Sequence, residues 1–157
     1  MKIKLNKKGF TLIELIVVFS VIAILSTIGI AAFVNYGKVQ NLSGAVSNFS
    51  STLNDAKSRA LSQVKPQECT GQALSGYQVD ILSSTVYTLS VICQGQHTLK
   101  TVTLPSNILF NLNVGQTTTT SIFFPIISSG VTGSGVIVIT GFGQSKTVTV
   151  DNIGNIQ

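Results

Sequence analysis

The chain is poor in the side chains that carry out chemistry. Of its 157 residues, one is histidine, two are cysteine, three are proline, and only 10% are charged. Cys69, Cys93 and His97 together would give three zinc ligands where a structural site needs four. A Cys93–His97 hydrolase would also need an orienting Asn or Asp, which the sequence does not place beside them. Glu68, Asp80 and Asp151 stand apart from one another, so no carboxylate pair is set for acid–base work. The glycine-rich stretch Gly130–Gly135 lacks the Lys-Ser/Thr and the following helix of a phosphate loop and reads as a turn. No enzyme, metal or cofactor is expected; a cluster formed around His97 in the fold would be needed to revive a catalytic reading.

Charge is also missing from a long segment near the start. Leu15 to Val34 is twenty residues without a charged side chain, preceded by Lys2, Lys4, Lys7 and Lys8 and by a lone acid, Glu14. Twenty helical residues span roughly 30 Å, the thickness of a bilayer core. The lysines predict a cytoplasmic N-terminus, with the rest of the chain facing outward. A secretory signal peptide cut near Gly29-Ile30-Ala31 would have a shorter apolar region and no acid within it. A plain membrane anchor gives no reason for Glu14, and a carboxylate in such a run is costly.

The string Lys7-Lys8-Gly9-Phe10-Thr11-Leu12-Ile13-Glu14-Leu15 resembles the N-terminal signal of type IV pilins and the pseudopilins of type II secretion and DNA-uptake systems. The resemblance implies a prepilin peptidase that cuts between Gly9 and Phe10 and N-methylates Phe10. It also implies a structural subunit, a minor pilin or pseudopilin, that joins other subunits in a filament through its N-terminal helix. Glu14 matches the family's glutamate five residues into the mature chain. In a helix bundle it would pair with the Phe10 amine of a neighbour and set axial register; alternatively it reaches the headgroup region and needs no partner. Family members often carry a proline some twenty residues into the mature helix. Ile30-Ala31-Ala32 stands here instead, which argues against a major pilin. Loss of residues 1–9 removes four lysines and leaves six basic and five acidic side chains, 6 − 5 = +1. The net charge of +5 therefore belongs mainly to the leader.

Beyond Tyr36, the residues Val39, Leu42, Val46, Phe49, Leu53, Ala56 and Ala60 recur at alternating spacings of three and four, an apolar seam on one helical face. The helix is predicted to end near Gln63, before Pro66, and glycines at 37 and 44 are candidate bend points. From Thr70 onward only Asp80, Lys100, Lys146 and Asp151 are charged, and Thr, Ser, Gly and Val dominate. Alternation at Tyr77/Val79/Ile81, Tyr87/Leu89/Val91, Ile108/Phe110/Leu112/Val114 and Val148/Val150 predicts strands. Apolar runs at Ser121–Ile127 and Val136–Thr140 predict buried ones, with Pro125 confining its strand to an edge or bulge. The expected fold is α+β: a long N-terminal helix packed on a mostly antiparallel head of about seven strands. Its parts are a leader at 1–9, a transmembrane and polymerisation helix at 10–36, an amphipathic continuation at 37–65 and a head at 66–157.

On the translocated side, Cys69 and Cys93 are expected to form a disulfide. The helix-then-strands plan and the terminal pattern from Gly143 to Gly154 more weakly resemble H-type minor pseudopilins and FimT-like minor pilins. Some FimT-like proteins bind DNA through basic residues near the C-terminus; only Lys146 stands there, so nucleic acid is disfavoured as a partner. The expected partners are prepilin peptidase, other pilin or pseudopilin subunits and the cytoplasmic membrane. The alternative in another class is a membrane-anchored or secreted β-domain that never polymerises.

Overall fold

The computed structural model describes the backbone of residues 9–113, 115–127 and 130–157, and the side chains of these except 27–29 and 31–32. The chain divides into two compact units, Met1–Gly37 and Lys38–Gln157. Helix α1, Leu12–Leu61, supplies the described helix of the first and the opening element of the second. The class is α+β, a long N-terminal helix with antiparallel sheets.

In the first unit, every described side chain from Phe10 to Tyr36 is exposed. Consecutive apolar residues, from Leu15 to Phe19 for example, leave this helix apolar on all sides. Among the described residues no helix is long and apolar enough to cross a membrane. The span expected at 10–36 includes 27–29 and 31–32, whose side chains lie outside the described set, as do the leader lysines.

In the second unit the apolar seam is the buried face of α1. Leu42, Phe49, Leu53, Ala56 and Ala60 are all but inaccessible, Val46 is half-buried, and Val39 stays exposed. Ala45 and Thr52 join the buried face. Gly37 and Gly44 are both helical. The helix ends at Leu61, close to the expected Gln63, and its closure comes before Pro66. Gln63 takes a left-handed conformation at φ 49°. Its N–H bonds Ala60 O at 3.1 Å, and Val64 N–H bonds Arg59 O at 3.1 Å. This paired closure is a Schellman cap, which satisfies the last carbonyls before the proline is reached.

Two antiparallel sheets cover the seam. One has the order β3-β2-β1-β5, built from Gln96–Thr103, Val86–Ile92, Gly76–Ile81 and Ser121–Pro125; the other is β4-β6-β7, Ile108–Phe110, Gly135–Gly141 and Gln144–Val150. Tyr77↔Val91 and Val79↔Leu89 pair across β1 and β2, and Tyr77↔Phe124 and Val79↔Ile122 pair across β1 and β5. Those residues are buried in one core with Ile108, Phe110, Ile137, Ile139, Val148 and Val150 of the second sheet. The β6–β7 hairpin turns on Phe142 and Gly143, both at positive φ (54° and 78°), the two-residue geometry that matches strand twist. Pro125 closes β5, an edge strand, as its missing N–H requires.

Three strand expectations need correction. β3 is a full strand of eight residues where none was expected. β4 ends at Phe110 instead of running to Val114, which lies outside the described residues. Asn111 N–H turns to Val138 O at 2.8 Å, and Thr117 Oγ1 donates to Asn111 O at 2.6 Å, so a loop takes over there. β5 ends at Pro125, leaving Ile127 91% exposed instead of buried.

Candidate processing site and the head behind it

Gly9, Phe10 and Thr11 are non-helical and exposed, and α1 starts at Leu12. Two bonds fix that start. Thr11 O accepts from Leu15 N–H at 3.2 Å, and Thr11 Oγ1 accepts from Glu14 N–H at 3.3 Å. Thr11 is therefore the N-cap, and Glu14 is the third helical residue. Its carboxylate lies in the first turn, where the helix dipole favours negative charge. Glu14 is exposed, and the side chains after it are apolar.

Residues 4–30 match the family described as the prokaryotic N-terminal methylation motif. The chain carries that motif. It is thereby similar to type IV pilins and pseudopilins over its N-terminal segment. No curated protein and no solved structure matches the chain. The matched segment contains Gly9, Phe10 and Glu14 and ends within the apolar stretch of α1.

Behind the motif, the head is tied together at several named points. Cys69, in a 3₁₀ turn at Gln67–Cys69, is joined to Cys93 just after β2. Both sulfurs are thus committed to one bond, as expected from the cysteine pair. His97 lies half-buried on β3 opposite Val91. Tyr77 O–H donates to Val64 O at 2.5 Å, anchoring β1 to the segment after α1. Burial raises the Tyr77 hydroxyl above its ordinary range, with Arg59 pulling it partly back. Arg59 pairs with Asp55 at 2.9 Å one turn earlier, and that bond raises the guanidinium further. Lys57 Nζ donates to Gly154 O at 2.8 Å, and Lys146 Nζ to Ser43 Oγ at 3.0 Å, so two lysines join the helix to the C-terminal region.

Of the carboxylates that the sequence leaves without a role, Asp80 and Asp151 find one in the fold. Asp80 on β1 accepts from Gln78 Nε2 (2.7 Å), Ser121 Oγ (2.6 Å) and Gln96 Nε2 (2.7 Å). Gln96 Nε2 also reaches Ser90 Oγ at 3.2 Å, so one network crosses all four strands of the larger sheet. Its signal was a period-two placement of polar residues, opposite in phase to Tyr77 and Val79. Asp151 accepts from the N–H groups of Asn155 (2.7 Å) and Ile153 (3.0 Å) and from Asn155 Nδ2 (2.8 Å). Those bonds, the Asn155 N–H first, hold its carboxyl below the usual value. They fold the C-terminal turn back so that Thr149 and Gln157 exchange backbone bonds at 2.8 and 3.0 Å. Both carboxylates are occupied by hydrogen bonds that shape the head.

Proposed function

We propose that this chain is a structural subunit, a minor pilin or pseudopilin, of a type IV pilus-like or type II secretion filament. A prepilin peptidase cuts the Gly9–Phe10 bond and methylates the Phe10 amine. The precursor is held in the cytoplasmic membrane through the helix at 10–36, with its N-terminus cytoplasmic and its head outside. Assembly with like subunits then buries that helix. The observation that carries this reading is the methylation motif at residues 4–30, together with a helix whose described side chains are all exposed as far as Tyr36. A helix apolar all round is stable only where lipid or neighbouring helices cover it.

Glu14 is the register residue in this reading. Its carboxylate lies one turn from the new amine, among apolar neighbours, where charge is best kept paired. The role is structural rather than catalytic. Nucleic acid is disfavoured as the partner, because no cluster of cations accompanies Lys146 near the C-terminus.

The test is the intact mass and N-terminal sequence of the membrane-purified protein, with and without co-expressed prepilin peptidase. A peptidase-dependent N-methylated Phe10 is expected. Met1 retained in both samples would leave a non-polymerising membrane anchor, and a new terminus at Ala32 would mean ordinary secretion.

A further inference from the structure

We infer that Thr11 is a positioning residue for cleavage: its cap starts α1 at Leu12 and keeps the Gly9–Phe10 bond in non-helical backbone. The inference rests on the reading that this bond is the one cut. In that step water adds across the amide, leaving a carboxylate on Gly9 and an ammonium on Phe10. A peptidase needs the carbonyl and N–H of that peptide free of regular structure, because backbone engaged in helical hydrogen bonds must first open.

The local chemistry sets the boundary from both sides. Downstream, Thr11 and Glu14 form the Thr-x-x-Glu pattern of a capping box. The structure shows the Thr11 Oγ1 half of it at 3.3 Å, supported by the Leu15 N–H bond to Thr11 O. Upstream, Gly9 is a poor helical residue, and Lys7 and Lys8 would place cations at the positive end of the dipole. The next capping side chain upstream is Asn6. A helix begun there would draw Gly9 and Phe10 into its first turn. The next hydroxyl downstream is Ser20, and a start there would unwind two turns of apolar helix. Loss of the Thr11 cap therefore moves the helix start toward the leader, over the bond to be cut.

The experiment compares full-length precursors in detergent micelles, cut by purified prepilin peptidase and followed by intact mass. Thr11→Val keeps the shape and removes the hydroxyl; Thr11→Ser keeps the hydroxyl and removes the methyl. The expected result is initial cleavage about five- to tenfold slower for Thr11→Val, as loss of a cap implies. The Phe10 Cα chemical shift moves toward helical values in the same variant. Thr11→Ser restores both the rate and the shift. Wild-type cleavage rate in Thr11→Val would overturn the inference. So would slow cleavage with an unmoved Phe10 shift, or a serine variant as slow as valine, since the peptidase would then be reading the threonine side chain itself. A wild-type precursor left uncut at Gly9–Phe10 is a separate result that would overturn the processing reading and this inference with it.

Discussion

Tyr87 of β2 meets Phe110 of β4 edge to face, with ring centroids 5.9 Å apart and planes at 89°. The two residues belong to different sheets, and the helix closes the triangle. Phe49 lies 5.1 Å from the Tyr87 ring and 5.2 Å from the Phe110 ring, both at steep angles. Edge-to-face pairs use the positive ring rim against the negative ring face, so they add directional energy to simple burial. This trio joins helix and both sheets at one point. Phe49→Ala empties its centre and leaves Thr52 Oγ1 and the Tyr87 hydroxyl, 3.4 Å apart, without a packed wall. The expected loss is about 3–5 kcal/mol, read as a lower denaturant midpoint for the full chain in detergent. A shift of less than about 1 kcal/mol would show that the sheets hold together without the helix ring.

The Cys69–Cys93 bridge closes a loop with a sequence separation of 24. Loop-closure entropy assigns such a crosslink about 3–4 kcal/mol. The bridge ties the turn after α1 to the end of β2, the same stretch that Tyr77 anchors through Val64. A Cys69→Ser, Cys93→Ser double variant is expected to lose most of that stability and to become indifferent to reductant. The wild-type protein should lose a similar amount when reduced. A wild-type midpoint unchanged by reductant would contradict the account.

Alkaline pH should unfold the head through two buried phenols. Burial raises both Tyr77 and Tyr87 above the ordinary value of 10.0; Arg59 partly offsets it for the first and the Thr52 bond for the second. A group whose folded pKa is raised contributes stability that is complete below its unfolded value and lost as pH climbs through the folded one. The head should therefore hold its stability below about pH 10 and lose it above, with tyrosinate absorbance rising together with unfolding. Tyr87→Phe keeps the ring trio and removes one phenol, and it should move the alkaline transition upward. An alkaline midpoint unmoved by that change would assign the transition elsewhere.

How far the fold could be read from sequence depended on how local each cause is. The apolar seam of α1 from Leu42 onward, β1 and β2 all rest on patterns within a few residues, and each lies where expected. β3 was missed because Gln96-His97-Thr98-Leu99-Lys100 presents no clean alternation. The strand carries an irregularity opposite Leu89 and Ser90, and only Leu99 and Val102 pack against the core. The left-handed cap at Gln63 was also hidden, since glutamine is not the residue that usually marks such a cap. The division into two sheets depends on pairings between strands distant in sequence, which no local pattern encodes. The methylation motif is the opposite case, a linear pattern confined to residues 4–30, and a pattern of that kind is legible without the fold. The Asp80 network was only half legible. Its residues stand at polar positions, but that they share one carboxylate follows from the β1–β2–β3–β5 register.

Glu14 stands four residues after Phe10, exposed in the first turn of α1 and followed by apolar side chains. Before cleavage it sits at the third position of a capped helix, where its charge complements the dipole by only a few tenths of a kcal/mol to about 1 kcal/mol. Cleavage after Gly9, as proposed, would place an ammonium at Phe10. Within a bundle of such helices, an unpaired carboxylate would then be costly and a paired one would fix the axial offset between subunits. Glu14→Ala should therefore be cut at close to the wild-type rate, because Thr11 still caps the helix, but should fail to enter filaments. Glu14→Gln separates charge from hydrogen bonding; if pairing with the amine sets the register, it should fail as alanine does. The check is the ratio of processed subunit in sheared filaments to that in membranes, with cleavage scored by mass in the same samples. Normal incorporation of Glu14→Ala would retire the pairing and leave Glu14 as a first-turn residue that reaches the headgroup region alone.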